Sequence, residues 1–231
     1  MIRDHVFNCS WWGGRVGIVE DPTFFELPSA GRQEALSPYQ WVEFRCPMKS
    51  APEPWTIASA GFAQVDTQLS FRIGLRRTDD SSREKLPIRF ADQERIAPRR
   101  EDWPEFPHER FRHLPGATPA RVARRYEMWA QAVIERAPEW CLEVGEPGRP
   151  QGWFLSELEG EHLNLALAML SAGATISGFE LYARALGAFA ERGARLGEAR
   201  FSVENRAVHN IYARLGAIFR DTIGCWLWRA R

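Results

Sequence analysis

The sequence predicts an α/β protein in which a mixed central β-sheet is flanked by helices, with a smaller N-terminal unit ahead of a larger one. Two observations carry that reading. Between residues 163 and 215 the apolar periodicity switches from strand to helix, back to strand and again to helix, with Gly, Ser or Asn at each change. Between residues 1 and 77, short stretches alternating apolar and polar residues are separated by glycine turns.

In order, Trp11-Trp12-Gly13-Gly14-Arg15-Val16-Gly17-Ile18-Val19 reads as an aromatic lead-in, a tight turn and a strand. Tyr39 to Cys46 alternates as a half-buried strand does. Ala60-Gly61-Phe62 turns the chain into a further alternating strand, Val65 to Phe71. Residues 78–85 are polar and lack an apolar anchor, which places a linker there, between a small α/β unit at 1–77 and a second unit at 86–231. Ile88-Arg89-Phe90 starts the second unit's strands. Pro98, Pro104, Pro107 and Pro115 exclude a long helix over 96–116. Trp103, Phe106 and Phe111 in that loop fit either core anchors or the wall of a pocket. Thr118 as N-cap and Pro119 in the first turn open a helix carrying Val122, Tyr126, Trp129, Ala130 and Val133, and Pro138 ends it. Strands at 140–144 and 152–158 follow, joined through Gly145-Glu146-Pro147-Gly148.

Leu163 to Leu170 is an apolar run suited to a buried strand, and it leads into a loop rich in Ser and Gly. Phe179, Tyr182, Leu186 and Phe189 place one apolar stripe on a helix that starts near Gly178 and stops near Gly193. Residues 198–204 alternate as a strand. Asn205 is a good N-cap for the helix that follows, and Gly216 a good stop. Trp226 and Trp228 fit an alternating final strand or an exposed interface.

Composition narrows the function classes. The 231 residues carry thirty basic and thirty acidic side chains, so no global field points to nucleic acid. Cys9, Cys46, Cys141 and Cys225 are scattered, which suggests neither a metal site nor a secreted disulfide framework. The N-terminus lacks a basic-then-apolar signal, and no apolar run approaches the roughly 20 residues of a membrane span. A cytoplasmic protein is expected.

The segment Asn205 to Gly216 resembles the asparagine-to-tyrosine helix of the GNAT superfamily of N-acyltransferases: Asn205, Tyr212, Arg214, Leu215 and Gly216 match, and Ala217 stands where that family has Phe. Counted back at family spacing, the phosphate-loop pattern Arg/Gln-x-x-Gly-x-Gly/Ala falls on 173–178. Gly178 agrees, while Gly173 replaces the basic residue and Ile176 the middle glycine. The first unit resembles that of two-domain GNAT enzymes similar to dTDP-fucosamine N-acetyltransferase, through Trp12, Gly13, Val16, Gly17, Gly61, Phe62, Val65, Asp66 and Thr67. Glu109-Arg110-Phe111 is similar to the Ser-Arg-Phe before the long helix of those enzymes.

That resemblance implies a GNAT fold, with an incomplete GNAT-like unit at 1–77, and transfer of an acetyl or other acyl group from acyl-coenzyme A to a primary amine. The acceptor implied is a small molecule, in the two-domain enzymes a nucleotide-linked amino sugar, and a homodimer is common there. Backbone groups of Ala168 and Leu170 would pair with the pantetheine arm. Amides of Ser177, Gly178 and Phe179 would receive the pyrophosphate, and Asn205 would hold both helix and cofactor. Tyr212 would protonate the leaving thiolate as general acid. Taken alone, Tyr212 lies on the same apolar stripe as Val208, Ile211 and Leu215, as a core residue would. Glu157, Glu161, His162, His209 or water could act as base. No metal is implied. The missing middle glycine and Ala217 leave a second reading, a binding domain of this ancestry without turnover.

Overall fold

The structure, a computed structural model, describes residues 1–76, 86–98, 102 and 105–230. The expected linker at 78–85 and Trp103 lie outside the described residues.

Among the described residues the elements run β1 (Ile2–Asp4), α1 (Val6–Trp12), β2 (Val16–Val19), α2 (Ser29–Leu36), β3 (Trp41–Pro47), α3 (Pro54–Ser59) and β4 (Ala63–Gly74). The second half contributes β5 (Ile88–Phe90), α4 (Pro119–Arg136), β6 (Cys141–Glu146), β7 (Arg149–Glu159), β8 (His162–Leu170), α5 (Gly178–Glu191), β9 (Leu196–Ser202), α6 (Arg206–Arg214) and β10 (Ile218–Arg229). Ten strands form one sheet in the order β1-β2-β3-β10-β4-β9-β8-β7-β6-β5. The β2–β3 and β8–β9 pairs are parallel and the other neighbours antiparallel, so the sheet is mixed. Strands from either side of the polar run interleave: β10 inserts between β3 and β4, and β4 pairs with β9.

Local chemistry explains most of these elements. Thr118 caps α4, accepting a hydrogen bond from the Arg121 N–H at 3.2 Å, with Pro119 at the first helical position. Gly13 ends α1 at φ 76°, in the left-handed region that glycine reaches without steric cost. On β7 the alternation sends Trp153 and Leu155 to the face covered by α4, through Ala130 and Val133, and Phe154 to the face covered by α5, through Leu181 and Phe189. Trp226 on β10 is buried and stacks on Phe44 at 5.3 Å, so the last strand completes the core of the first half and is not an exposed interface. A second aromatic cluster, Trp11, Trp12, Trp41 and Phe111, ties α1 and β3 to the turn before α4.

One irregularity positions the site. Along β7 and β8 the register steps from Leu155 opposite Leu167 to Glu157 opposite Asn164, so Leu165 and Ala166 together face Ser156. This β-bulge inverts the pleat of β8. Before it, Leu163 and Leu165 point into the α5 core. Beyond it, Leu167 and Met169 point into the α4 core.

Candidate active site

The bulge is also where β8 leaves its parallel neighbour. β8 and β9 pair only at Leu163–Gly197 and Asn164–Glu198, after which the strands diverge and a cleft of about 1090 Å³ opens between them. The edge of β8 that faces this cleft can be read from the register with β7. The Ser171 N–H donates to the Gln151 carbonyl at 2.9 Å, so Met169 and Ser171 direct their backbone groups toward β7. With a period of two, Ala168 and Leu170 direct theirs toward β9, which no longer pairs there. Among the described residues these two thus present unpaired strand backbone to the cleft, the requirement for an extended ligand that adds itself as a strand.

The loop after β8 ends at α5. The Ser177 side chain caps that helix, accepting from the Glu180 N–H at 3.2 Å, which leaves the amides of Gly178 and Phe179 in the first turn without an intrahelical acceptor. The helix dipole makes this end receptive to an anion. The altered residues of the loop have a structural explanation. Ile176 packs against the α5 core and anchors the loop, while the Gln151 side chain accepts from both the Thr175 N–H (2.7 Å) and its hydroxyl (3.0 Å). At Gly173 a Cβ would meet nothing, whereas at Gly178 it would come within 3.1 Å of Ile211 Cδ1, so Gly178 serves the close approach of α5 to α6. The Arg214 guanidinium lies 4.0 Å over the Phe179 ring and brings a cation to the start of α5, where the loop itself has none.

Asn205 caps α6: its Oδ1 accepts from the Val208 N–H at 3.2 Å, which leaves its amide nitrogen for the cleft it lines. Tyr212 is 3% exposed and lines the same cleft, its ring 4.0 Å from that of Phe71. No hydrogen bond to its hydroxyl is present among the described residues. Burial, with a smaller contribution from Tyr182, pushes the phenol well above its ordinary value, so it stays protonated at neutral pH. The structure therefore brings Ala168, Leu170, Gly178, Asn205 and Tyr212 to one cleft, while Ser177 and Phe179, on either side of Gly178 in the chain, are not among its lining. Core packing and access to the cleft coexist at Tyr212.

Of the four side chains considered as a base, His162 alone lines the cleft, 3.8 Å from Glu198 at the point where the strands part. Glu157 is engaged by Arg136 at 2.8 Å, Glu161 is exposed in the hairpin turn, and His209 stacks on Phe219 at 4.9 Å. In the proline-rich loop, Phe111 is core and Phe106 is wall: Phe106 lies in the cleft, stacked on Tyr126 at 3.5 Å.

Two features of the site were not apparent in sequence. Tyr182, which reads as one more member of the α5 stripe, lines the cleft with its ring 5.1 Å from that of Tyr212, and burial raises its phenol as well. The other is a buried ionic network at the far end of the cleft, built from Glu43, Arg45, Glu109, Arg110 and Arg125. Residues so far apart in the chain carry no spacing signal.

No protein-family model matches the sequence, and no curated protein matches it. The fold is shared with solved structures. A GCN5-related N-acetyltransferase from Sphaerobacter thermophilus superimposes with a TM-score of 0.60 at 14% identity, over 99% of this chain and 75% of that one. A GCN5-related N-acetyltransferase from Kribbella flavida gives 0.53 at 12% identity, over 94% and 82%. A tandem GNAT protein from the clavulanic acid biosynthesis pathway, solved without acetyl-coenzyme A, gives 0.51 at 13%, over 95% and 76%. At these identities the likeness is one of fold: the large mixed sheet with flanking helices is the GNAT architecture. Among the described residues no helix is long and apolar enough to cross a membrane.

Proposed function

We propose that the protein is an N-acyltransferase that moves an acetyl or similar acyl group from acyl-coenzyme A to a primary amine of a small molecule. The observation that carries this reading is the parting of β8 from β9 at the bulge, with the unpaired backbone of Ala168 and Leu170 on one side and the protonated Tyr212 phenol in the same cleft. The residues fit the co-substrate in three places. The β8 edge suits the pantetheine amides, the free amide nitrogen of Asn205 can donate to a carbonyl of the same arm, and the first turn of α5 with Arg214 suits a pyrophosphate. The thioester, when bound, supplies an acyl carbon open to attack and a thiolate leaving group.

In this proposal the cleft holds the amine opposite the acyl carbon, an arrangement that converts a bimolecular encounter into a positioned one. The nitrogen–carbon bond forms as the carbon–sulfur bond breaks. Tyr212 gives its proton to the departing sulfur. The amine's surplus proton leaves toward the His162 and Glu198 pair through water, and Tyr212 is reprotonated from solvent. The resemblance to two-domain enzymes makes a nucleotide-linked amino sugar a candidate acceptor.

The test is release of free thiol from acetyl-coenzyme A in the presence of a panel of primary amines that includes amino-sugar nucleotides. Thiol release that depends on both protein and amine, with a mass increase of the amine equal to one acetyl group, is expected. Absence of amine-dependent release across acetyl and longer acyl donors would leave a non-catalytic binding domain as the better reading.

A further inference from the structure

The geometry points to an acceptor that carries a carboxylate as well as its amine, with Arg45 as the group that receives the carboxylate; this inference rests on the acyltransferase reading and names its substrate class. Its basis is the ionic network in the half of the cleft bounded by β3 and the turn before α4. Glu43 on β3 is fully buried, and its two oxygens face Arg110 Nε at 2.5 Å and Arg45 Nε at 3.6 Å. Glu109 accepts from the Tyr126 hydroxyl at 2.5 Å and lies 3.7 Å from both Arg110 and Arg125. Arg125 in turn donates from Nε to Asn8 Oδ1 at 3.1 Å.

Three guanidinium groups therefore share two carboxylates, and one positive charge is left over. The neighbouring groups do not cancel it. Asp66 and Arg200, the next charges outward, are of opposite sign. Burial, which outweighs the pull of Glu43, holds the His5 imidazole below its ordinary value, so His5 is neutral at pH 7. Burial likewise raises the Tyr126 phenol, which remains neutral.

The surplus localises on Arg45. Arg110 is committed to Glu43, and Arg125 to Glu109 and Asn8, whereas Arg45 makes no hydrogen bond among the described residues, its buried Nε standing 3.6 Å from Glu43 Oε2. Its side chain is 31% exposed, and that opening is into the cleft. A guanidinium that opens into a cleft without a protein hydrogen bond is open to a planar two-oxygen anion, which satisfies it with paired N–H donors. The excess of one charge matches a carboxylate better than a phosphate dianion. Phe106, Tyr126 and Trp129 wall the same end of the cleft and suit an apolar spacer between the two ends of the ligand. Arg45 and Tyr212 line one cleft, so a carboxylate on Arg45 leaves the amine end of such a molecule inside that cleft.

Matched pairs of probes test this: β-alanine, 4-aminobutyrate and 5-aminovalerate against their carboxamides, with O-phosphoethanolamine as a phosphate-bearing arm. Two readouts are taken on wild type, Arg45→Met and Arg45→Lys: kcat/KM for acetyl transfer, and the rise in melting temperature given by each probe and, separately, by acetyl-coenzyme A. The expected result is a preference of at least about 30-fold for the best acid over its amide, a larger melting shift with the acid, and collapse of both differences in Arg45→Met while its stabilisation by acetyl-coenzyme A is unchanged. Arg45→Lys should keep part of the preference, because the charge remains and the fork is lost. Equal handling of acid and amide, a preference for the phosphate probe, or an acid preference that survives Arg45→Met would overturn the assignment. If acetyl-coenzyme A gives no stabilisation, the acyltransferase reading fails, and the acid-against-amide melting shift still decides the fate of the anion site.

Discussion

Tyr212→Phe lowers kcat for acetyl transfer by about a hundredfold or more, within the roughly 10²–10⁴-fold that a positioned general acid contributes, and leaves stability nearly unchanged. The two halves of this expectation have separate causes. The phenyl ring keeps its packing against Phe71 at 4.0 Å and against Tyr182 at 5.1 Å, and the lost hydroxyl has no hydrogen-bond partner among the described residues that would be left unpaired. The proton for the leaving thiolate is what disappears. Because burial holds the phenol well above its ordinary value, it does not ionise below about pH 10. The activity deficit of the variant should therefore be the same across the neutral range. Paired measurements of kcat and urea midpoint check both parts, and full activity in the variant would return Tyr212 to a purely packing role.

Glu43→Ala is expected to cost about 3–5 kcal/mol of folding stability, the range for removing one partner of a buried ion pair. The loss is not that of the pair's net worth. Arg110, with its side chain 11% exposed, and Arg45 would face each other across a buried space with no carboxylate between them. Burial opposes the Glu43 charge, but Arg110 and Arg45 outweigh it and hold the carboxyl below the usual value. With the folded-state pKa depressed, the stabilisation is fully present above the unfolded carboxylate value of about 4.3 and is lost as pH falls through the folded value. The gap between wild type and Glu43→Ala in urea denaturation should therefore be constant from pH 6 to 8 and shrink only in acid. A cost under about 1 kcal/mol at pH 7 would show that the network is well solvated, and would remove the premise of the anion site.

The parts of this fold that are legible in the sequence are those fixed by local chemistry. Thr118 and Pro119 start α4 where the cap and the proline require, and Asn205 starts α6 for the same reason. The apolar run at 163–170 is a strand, and Gly178 begins a helix, because period and turn residues act over a few positions. What the sequence does not display depends on distant partners. β10 reaches across to complete the first half's core, and Trp226 gives no sign of that until Phe44 is placed beneath it. The bulge at Leu165 and Ala166 is invisible because the apolar pattern of β8 continues through it while its faces exchange. Short helices such as α2 and α3 lack enough turns for a periodic signal. At the site, Asn205 and Tyr212 are found through one motif on one helix, whereas Tyr182 is hidden in an ordinary apolar stripe. Arg45 and Glu43 sit in a strand whose alternation reads as half solvent-facing, and the turn at 110–113 covers the face that carries them while Phe24, Phe25 and Leu36 cover the other.

The β8 edge is the proposed seat of the acyl donor's extended arm, and backbone amide exchange followed by NMR reads that edge directly. Without ligand, the Met169 amide should exchange slowly, since β7 already holds it, and the Ala168 and Leu170 amides should exchange faster. Saturating coenzyme A should slow Ala168 and Leu170 selectively and leave Met169 as it was. Saturable binding of coenzyme A without protection at those two amides, or no binding at all, would contradict the placement of the donor between β8 and β9.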